Sequence, residues 1–159
     1  MSRRDEIRMT ELEVTGLLEA RRTVICATTG ADGWPHVVPL WYVVREGEIW
    51  VWTYAASQKV VNLERDPYAT LLVEAGDVYA ELRGVMLKVE AEIVHDPELV
   101  SALGLAVLAR SGAGERNAHG GEITHEAAEV VVRQAAKRVA IRFIEHARIS
   151  WDHRKLAEI

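Results

Sequence analysis

Cysteine occurs once in this 159-residue chain, at Cys26. That excludes an internal disulfide framework and a cysteine-built zinc cage. The neighbours in VICATT are apolar or small, so the thiol reads as one buried in a strand. Basic residues do not outnumber acidic ones, and the formal net charge of −5 opposes a nucleic-acid role. No stretch approaches the roughly 18 uninterrupted apolar residues of a membrane span. The opening MSRRDEIRMT mixes charges and lacks the apolar run of a signal peptide. A cytoplasmic chain with no nucleic-acid or membrane partner is therefore expected. Histidine is sparse and scattered: His119 and His125 stand six apart across a Gly-Gly loop, which is no compact ligand pair, so no metal site is expected. No Ser-His-Asp or Cys-His nucleophilic pattern is present, and no catalytic side chain is selected.

What is present is an ordinary globular balance, 49% hydrophobic and 27% charged, enough for one domain over residues 1–159 with its own core. Thr10 and Glu13 form a capping box, with Leu12, Leu17 and Leu18 on one face of a short helix. RTVICATT reads as a strand, GADG as a turn and WPHVVPLWYVV as a second strand. Pro35 and Pro39 cannot donate to a ladder, so that strand lies at an edge or is bulged there; His36 is expected to be exposed. Arg45-Glu46-Gly47 turns tightly into EIWVWTY, where Ile49, Val51 and Thr53 share one face and Trp50, Trp52 and Tyr54 the other. Both faces need cover. YATLLVEA is a further strand. Residues 78–95 read as one very long strand whose apolar phase shifts at Gly84, the mark of a β-bulge.

A helix follows from Pro97, with Leu99, Leu103, Val107 and Leu108 as a packing stripe. The Gly-rich segment SGAGERNAHGG reads either as a substrate lid or as a disordered loop. Another helix, a last strand over residues 137–150 and the tail WDHRKL close the chain. About six antiparallel strands with inserted helices point to an α+β fold that is mainly β: a small barrel with helical covers.

The chemistry concentrates at AASQKVVNLERDP. Ser57 is placed to cap a helix over residues 57–66, yet Lys59 sits in its first turn, where the macrodipole disfavours a cation. A phosphate at that end resolves the conflict, because the first-turn N–H groups, the Ser57 hydroxyl and the Lys59 ammonium then converge on one anion. The plain alternative is a solvated lysine. Four of the five tryptophans, Trp34, Trp41, Trp50 and Trp52, lie within nineteen residues just before this helix. Most belong to a core or interface, but the hairpin carrying them leads straight into the anion-ready helix start.

The succession TVICATTGADGWPHVVPLWYVV, EIWVWTYAASQKVVNLERDP, YAELRGVMLKVEAEIV and SWDHRKL resembles the split β-barrel flavin-binding family. That family includes pyridoxamine 5′-phosphate oxidase and the deazaflavin (coenzyme F420) reductases. The resemblance implies a homodimer with cofactor grooves between subunits and a small-molecule substrate. It places Ser57 and Lys59 at the phosphate, with Asn62 one turn on. It lays Pro39, Leu40 and Trp41 along the cofactor ring, with Val51, Trp52 and Thr53 on the facing strand. Arg83 and Trp151 would approach from the partner subunit. Lys59 and Arg65 are the sole basic residues of the 53–66 window, too few for a true oxidase, so coenzyme F420 is the expected cofactor and FMN the alternative. Hydride transfer to an electron-poor acceptor is the implied reaction, with Tyr42, Tyr54 and Tyr79 as chemically possible proton donors. Arg21, Arg22 or Lys88 would meet the cofactor's acidic tail. A flavin- or haem-type carrier without turnover is the reading from another class.

Overall fold

A computed structural model describes residues 2–110 and 123–158. Six strands, β1 (Thr23–Thr29), β2 (Pro35–Arg45), β3 (Glu48–Tyr54), β4 (Tyr68–Ala75), β5 (Arg83–Val94) and β6 (Arg138–Asp152), close into a barrel in the order β1-β2-β3-β6-β5-β4. Every neighbouring pair is antiparallel. Five α-helices are described: α1 (Arg3–Glu6), α2 (Glu11–Ala20), α3 (Gln58–Arg65), α4 (Pro97–Arg110) and α5 (His125–Ala135). The α+β barrel expected from the sequence is thus present.

Alternation along the strands sorts the side chains. Val24 and Cys26 of β1, Val51 of β3, Leu71 of β4, Val85 of β5 and Ile141 of β6 fill the barrel and are fully buried. Each such aliphatic side chain contributes about 1.5–3 kcal/mol of burial free energy. The capping box forms as read: Thr10 N–H donates to Glu13 Oε2 at 2.6 Å and Glu13 N–H to Thr10 Oγ1 at 3.3 Å. Helix α2 then sinks Val14, Leu17 and Leu18 into the same core. Leu12, expected on that face, is 85% exposed; Val14 takes its place because it, not Leu12, falls in line with Leu17 and Leu18 around the helix.

The hairpin between β2 and β3 has two turn residues, Glu46 and Gly47, both with positive φ (52° and 78°). That is the geometry of a type I′ turn, whose twist matches the flanking strands. The proline reading of β2 holds locally. Pro35 and Pro39 pair only with β1, and β3 joins β2 from Tyr42 onward, so the missing donors face a free edge.

Residues 78–95 are not one strand. Tyr79–Glu81 forms a single 3-10 turn and β5 begins at Arg83. The apparent phase change therefore marks a turn entering a strand. The ladder irregularity lies elsewhere, where Lys88 opposes Ala147 and Val89 opposes Glu145, so His146 is the extra residue of β6. Gly84 has a packing reason instead: a Cβ there would meet Trp151 Cζ2 at 2.6 Å.

Outside the barrel, α4 and α5 cover the β2–β3–β6 side. Val100, Leu103 and Val107 of α4 pack with Val43, Ala135 and Ala140, and Trp50 and Trp52 lie against that cluster. Both faces of EIWVWTY are covered except at its end, where Tyr54 is exposed. The Gly-rich segment read as a lid lies outside the described residues, with His119 in it.

Candidate functional site

Ser57 stands at the start of α3 in extended conformation, as an N-cap should, but its hydroxyl accepts no bond from the helix. The Ser57 Oγ is instead buried without any hydrogen-bond partner. This corrects the capping expectation, and a buried hydroxyl left unpaired is costly. Two residues on, Lys59 is half-buried and has no carboxylate partner among the described residues. Burial pushes its ammonium pKa down, Cys26 opposes that shift, and the nearby Arg138 guanidinium adds to it.

Arg138, the first residue of β6, was not foreseen. Its guanidinium lies over the Trp52 ring at 4.0 Å and over the Tyr54 ring at 3.9 Å. Its Nη2 donates to Gln134 Oε1 at 3.1 Å. Its Nε is buried without a partner, and so is Nε1 of Trp52. Among the described residues, these three buried donors have nothing to donate to and Lys59 has no counter-charge. An anionic, oxygen-rich ligand would provide the acceptors that the described residues do not.

The cavity beside them has a volume of about 660 Å³. Pro39, Leu40 and Trp41 of β2 form one wall, and Trp52 and Thr53 of β3 another. The third wall comes from α4 and α5 through Gly104, Val107, Leu108, Val130 and Val131. Val107 and Leu108, read from the sequence as packing, therefore contribute to the cavity as well. Gly104 lets the helix lie on the indole: a Cβ there would sit 2.8 Å from Trp52 Cε2 and Cζ2.

Five of the expected ring-side residues, Pro39, Leu40, Trp41, Trp52 and Thr53, come together here. Val51 does not. Its side chain points into the barrel and is 0% exposed, because alternation along β3 turns it away from Trp52. Asn62 is likewise 0% exposed. Its amide donates to Thr28 Oγ1 at 3.0 Å and accepts from Gln58 Nε2 at 2.9 Å, which ties α3 to β1 in the buried interior. Arg65 donates to the Thr29 carbonyl, away from the helix start. Arg83 and Trp151 lie apart from this cavity in the protomer. Arg83 pairs across from Asp152, and Trp151 lines a separate hollow of about 490 Å³ with Arg4, Arg8 and His153.

The tyrosines sort by place. Tyr42 is buried, donates to the Leu18 carbonyl, and has its phenol pKa pushed up by that burial. Tyr79 stacks on His153 with ring centroids 4.6 Å apart. Tyr54 alone of the three touches the Arg138 stack. His36 is not exposed as expected: it is half-buried, with a buried, unpartnered Nδ1. Among the described residues, no cluster of three or more His, Cys, Asp or Glu residues is arranged to hold a metal.

The missed residues left little trace in the sequence. Arg138 follows Lys137 in an ordinary charged connection, and only the fold stacks it on Trp52. The α5 wall shows as an apolar helical pattern in EAAEVVVRQA, which cannot by itself distinguish a cavity from a core.

The family model described as pyridoxamine 5′-phosphate oxidase matches residues 10–143. Among solved structures, a conserved hypothetical protein from Mycobacterium tuberculosis is 41% identical with a TM-score of 0.84, over 99% of this chain and 93% of that one. An F420 reductase is 25% identical with a TM-score of 0.63, over 84% of this chain and 93% of that one. The haem storage protein HutZ of Vibrio cholerae, at 18% identity and a TM-score of 0.64 over 91% and 97% of the two chains, shares the fold. No functionally curated protein matches the sequence. With a closed six-strand barrel and a family match over most of its length, the chain belongs to the pyridoxamine 5′-phosphate oxidase-like family of flavin-binding split barrels.

Proposed function

We propose that this chain is an oxidoreductase that binds coenzyme F420 and uses its reduced form to reduce a small-molecule acceptor. The observation that carries the proposal is the set of buried donors without acceptors, Ser57 Oγ, Trp52 Nε1 and Arg138 Nε, next to the uncompensated Lys59. Ser57, Lys59 and the first-turn N–H groups of α3 hold the cofactor phosphate. Pro39, Leu40 and Trp41 support the ring along the free edge of β2, with Trp52 and Thr53 opposite. When bound, the reduced cofactor supplies a hydride to an electron-poor double bond, and a proton from water or from Tyr54 completes the two-electron reduction. The protein's part is to fix the geometry, exclude water and supply positive charge.

The scarcity of basic groups at the helix start favours a deazaflavin over the oxidase chemistry, since Arg65 is engaged with the Thr29 carbonyl. The likeness to an F420 reductase supports the same choice. FMN is the alternative occupant, because its phosphate and ring make the same demands.

A homodimer is part of this proposal. Register places Pro39, Ile25, Leu72, Met86 and Ile149 side by side across β2, β1, β4, β5 and β6. Ile25, Leu72 and Met86 face outward, since their strand neighbours fill the barrel, and Pro39 and Ile149 are themselves exposed. This continuous apolar row leaves the β-sheet surface uncovered, and Pro39 joins it to the cavity, so a second copy seated there would bring a partner surface to the cofactor groove. Arg83 and Trp151 would complete the groove from that partner.

The test is a parallel fluorescence titration of the purified protein with F420 and with FMN. Tight F420 binding and weak FMN binding are expected, followed by oxidation of reduced F420 by members of an acceptor panel. The reverse preference would move the protein to FMN chemistry. Binding without oxidation by any acceptor would favour a carrier.

A further inference from the structure

Of the described residues that line the cavity between β2, β3 and the α4–α5 pair, Arg138 is the one that carries a charge. Its guanidinium lies against the Trp52 and Tyr54 rings and bonds to Gln134, so its direction is fixed before any ligand arrives. A fork held in this way loses little freedom on binding. Its Nε and the Trp52 Nε1 are both buried with no acceptor among the described residues. Arg138 also belongs to the phosphate side of the site, because Lys59 feels its charge. It pairs across the ladder with Tyr54, whose carbonyl accepts from the Ser57 N–H at 3.1 Å. Ser57 and Lys59 themselves do not line the cavity. Arg138 therefore stands where a ligand passes from its phosphate end to its ring end.

The chemistry of the cofactor says which ring atoms meet it. The chain that carries the phosphate leaves the ring at N10, and N1 and the C2 carbonyl flank that attachment in deazaflavin and flavin alike. Two-electron reduction raises the negative charge at those atoms, and a protein cation beside N1 is one of the groups that tune it. We infer that Arg138, with Trp52 Nε1 as second donor, holds the N1–C2 carbonyl edge of the cofactor and so selects the reduced form over the oxidised one. The inference rests on the cofactor reading above and adds to it a redox preference. The protein then takes up cofactor that carries a hydride and releases it once the hydride has passed to the acceptor.

The experiment is anaerobic calorimetric titration of the protein with oxidised and with reduced F420. The reduced form is expected to bind at least about tenfold more tightly, the difference a charge-assisted hydrogen bond provides. For a two-electron couple that ratio raises the potential of the bound cofactor by about 30 mV. Arg138→Gln should bring the ratio close to one, by weakening the reduced form more than the oxidised. Arg138→Lys, which keeps a cation, should retain part of the preference. Trp52→Phe keeps an aromatic ring and removes the second donor, and should lower the ratio with the fold intact by far-UV dichroism and melting. Lys59→Met is the contrast: the phosphate does not change on reduction, so both forms should weaken equally. Equal affinity of the wild type for the two forms, or an Arg138→Gln loss shared equally between them, would overturn the inference and leave the cofactor reading standing. If neither form of F420 binds, the choice of cofactor fails, and oxidised and reduced FMN then test Arg138 by the same ratio. Binding of neither cofactor sinks both.

Discussion

On the proposed function, Lys59 is a residue costly to the fold and necessary to the ligand. Its ammonium is half withdrawn from water, sits in the first turn of a helix and has Arg138 nearby, with no carboxylate among the described residues to offset either. Lys59→Met should therefore raise the melting temperature of the ligand-free protein, because it removes a desolvated charge. The same variant should weaken cofactor binding at least about tenfold, the loss expected for a charged hydrogen-bond donor. Thermal melts and a binding titration on one preparation check both halves. Cys26 is the opposite case: burial pushes its thiol up to about 11, against a smaller lowering from Lys59. It should resist thiol reagents at neutral pH until the barrel is unfolded, which a labelling time course with and without denaturant measures. Ser57 and Lys59 were readable in the sequence because a cation in a helix's first turn breaks a local rule. Arg138 broke no local rule, and only its stacking between Trp52 and Tyr54, set by the β3–β6 pairing, gives it a role. Val51 and Asn62 were placed near the ligand by resemblance, and strand alternation and a buried amide network take their side chains away from it.

Among the elements, α4 is the one whose function depends on a close approach. Gly104 allows its backbone to rest on the Trp52 indole, and a methyl there meets Val131 Cγ1 at 2.7 Å as well as the indole carbons. Gly104→Ala should cost about 1–3 kcal/mol by overpacking, a fall of roughly 2–4 °C in melting temperature per kcal/mol. It should also shift the Trp52 emission, since the ring must tilt. The C-terminal segment after β6 is held electrostatically. The Arg154 bond holds the buried Asp152 carboxyl below its ordinary pKa, and the Lys155 bond does the same for Glu13. A depressed folded-state pKa means that the unfolded chain binds protons first, so this stabilisation is complete above the ordinary carboxylate pKa of about 4 and is lost as pH falls through the folded value. Asp152→Asn should lower stability at neutral pH and flatten the acid limb of a stability-versus-pH curve. Most element identities were legible, because strand alternation and the cap at Thr10 follow from local chemistry. The misreading at 78–82 came from alternation alone: a 3-10 turn entered a strand, and the pattern looked continuous across both.

At the scale of the whole molecule, the closed barrel was foreseeable from six alternating segments separated by tight turns, but the use of its outer surface was not. The row Pro39, Ile25, Leu72, Met86 and Ile149 is scattered over five strands in sequence and becomes contiguous only through the register. Leu72→Arg, in the middle of that row, should convert the proposed dimer to monomer in sedimentation while leaving the barrel's dichroism intact. It should weaken cofactor binding too, as half of each groove would be lost. A monomeric wild type would contradict this part of the account. The central claim is narrower: the phosphate of the cofactor sits at the start of α3. A crystal structure of the protein with F420 tests it most directly. The account expects a phosphate oxygen within hydrogen-bond distance of Ser57 Oγ and Lys59 Nζ; a phosphate seated elsewhere, against Arg4 and Arg8 beside Trp151 for instance, would contradict it.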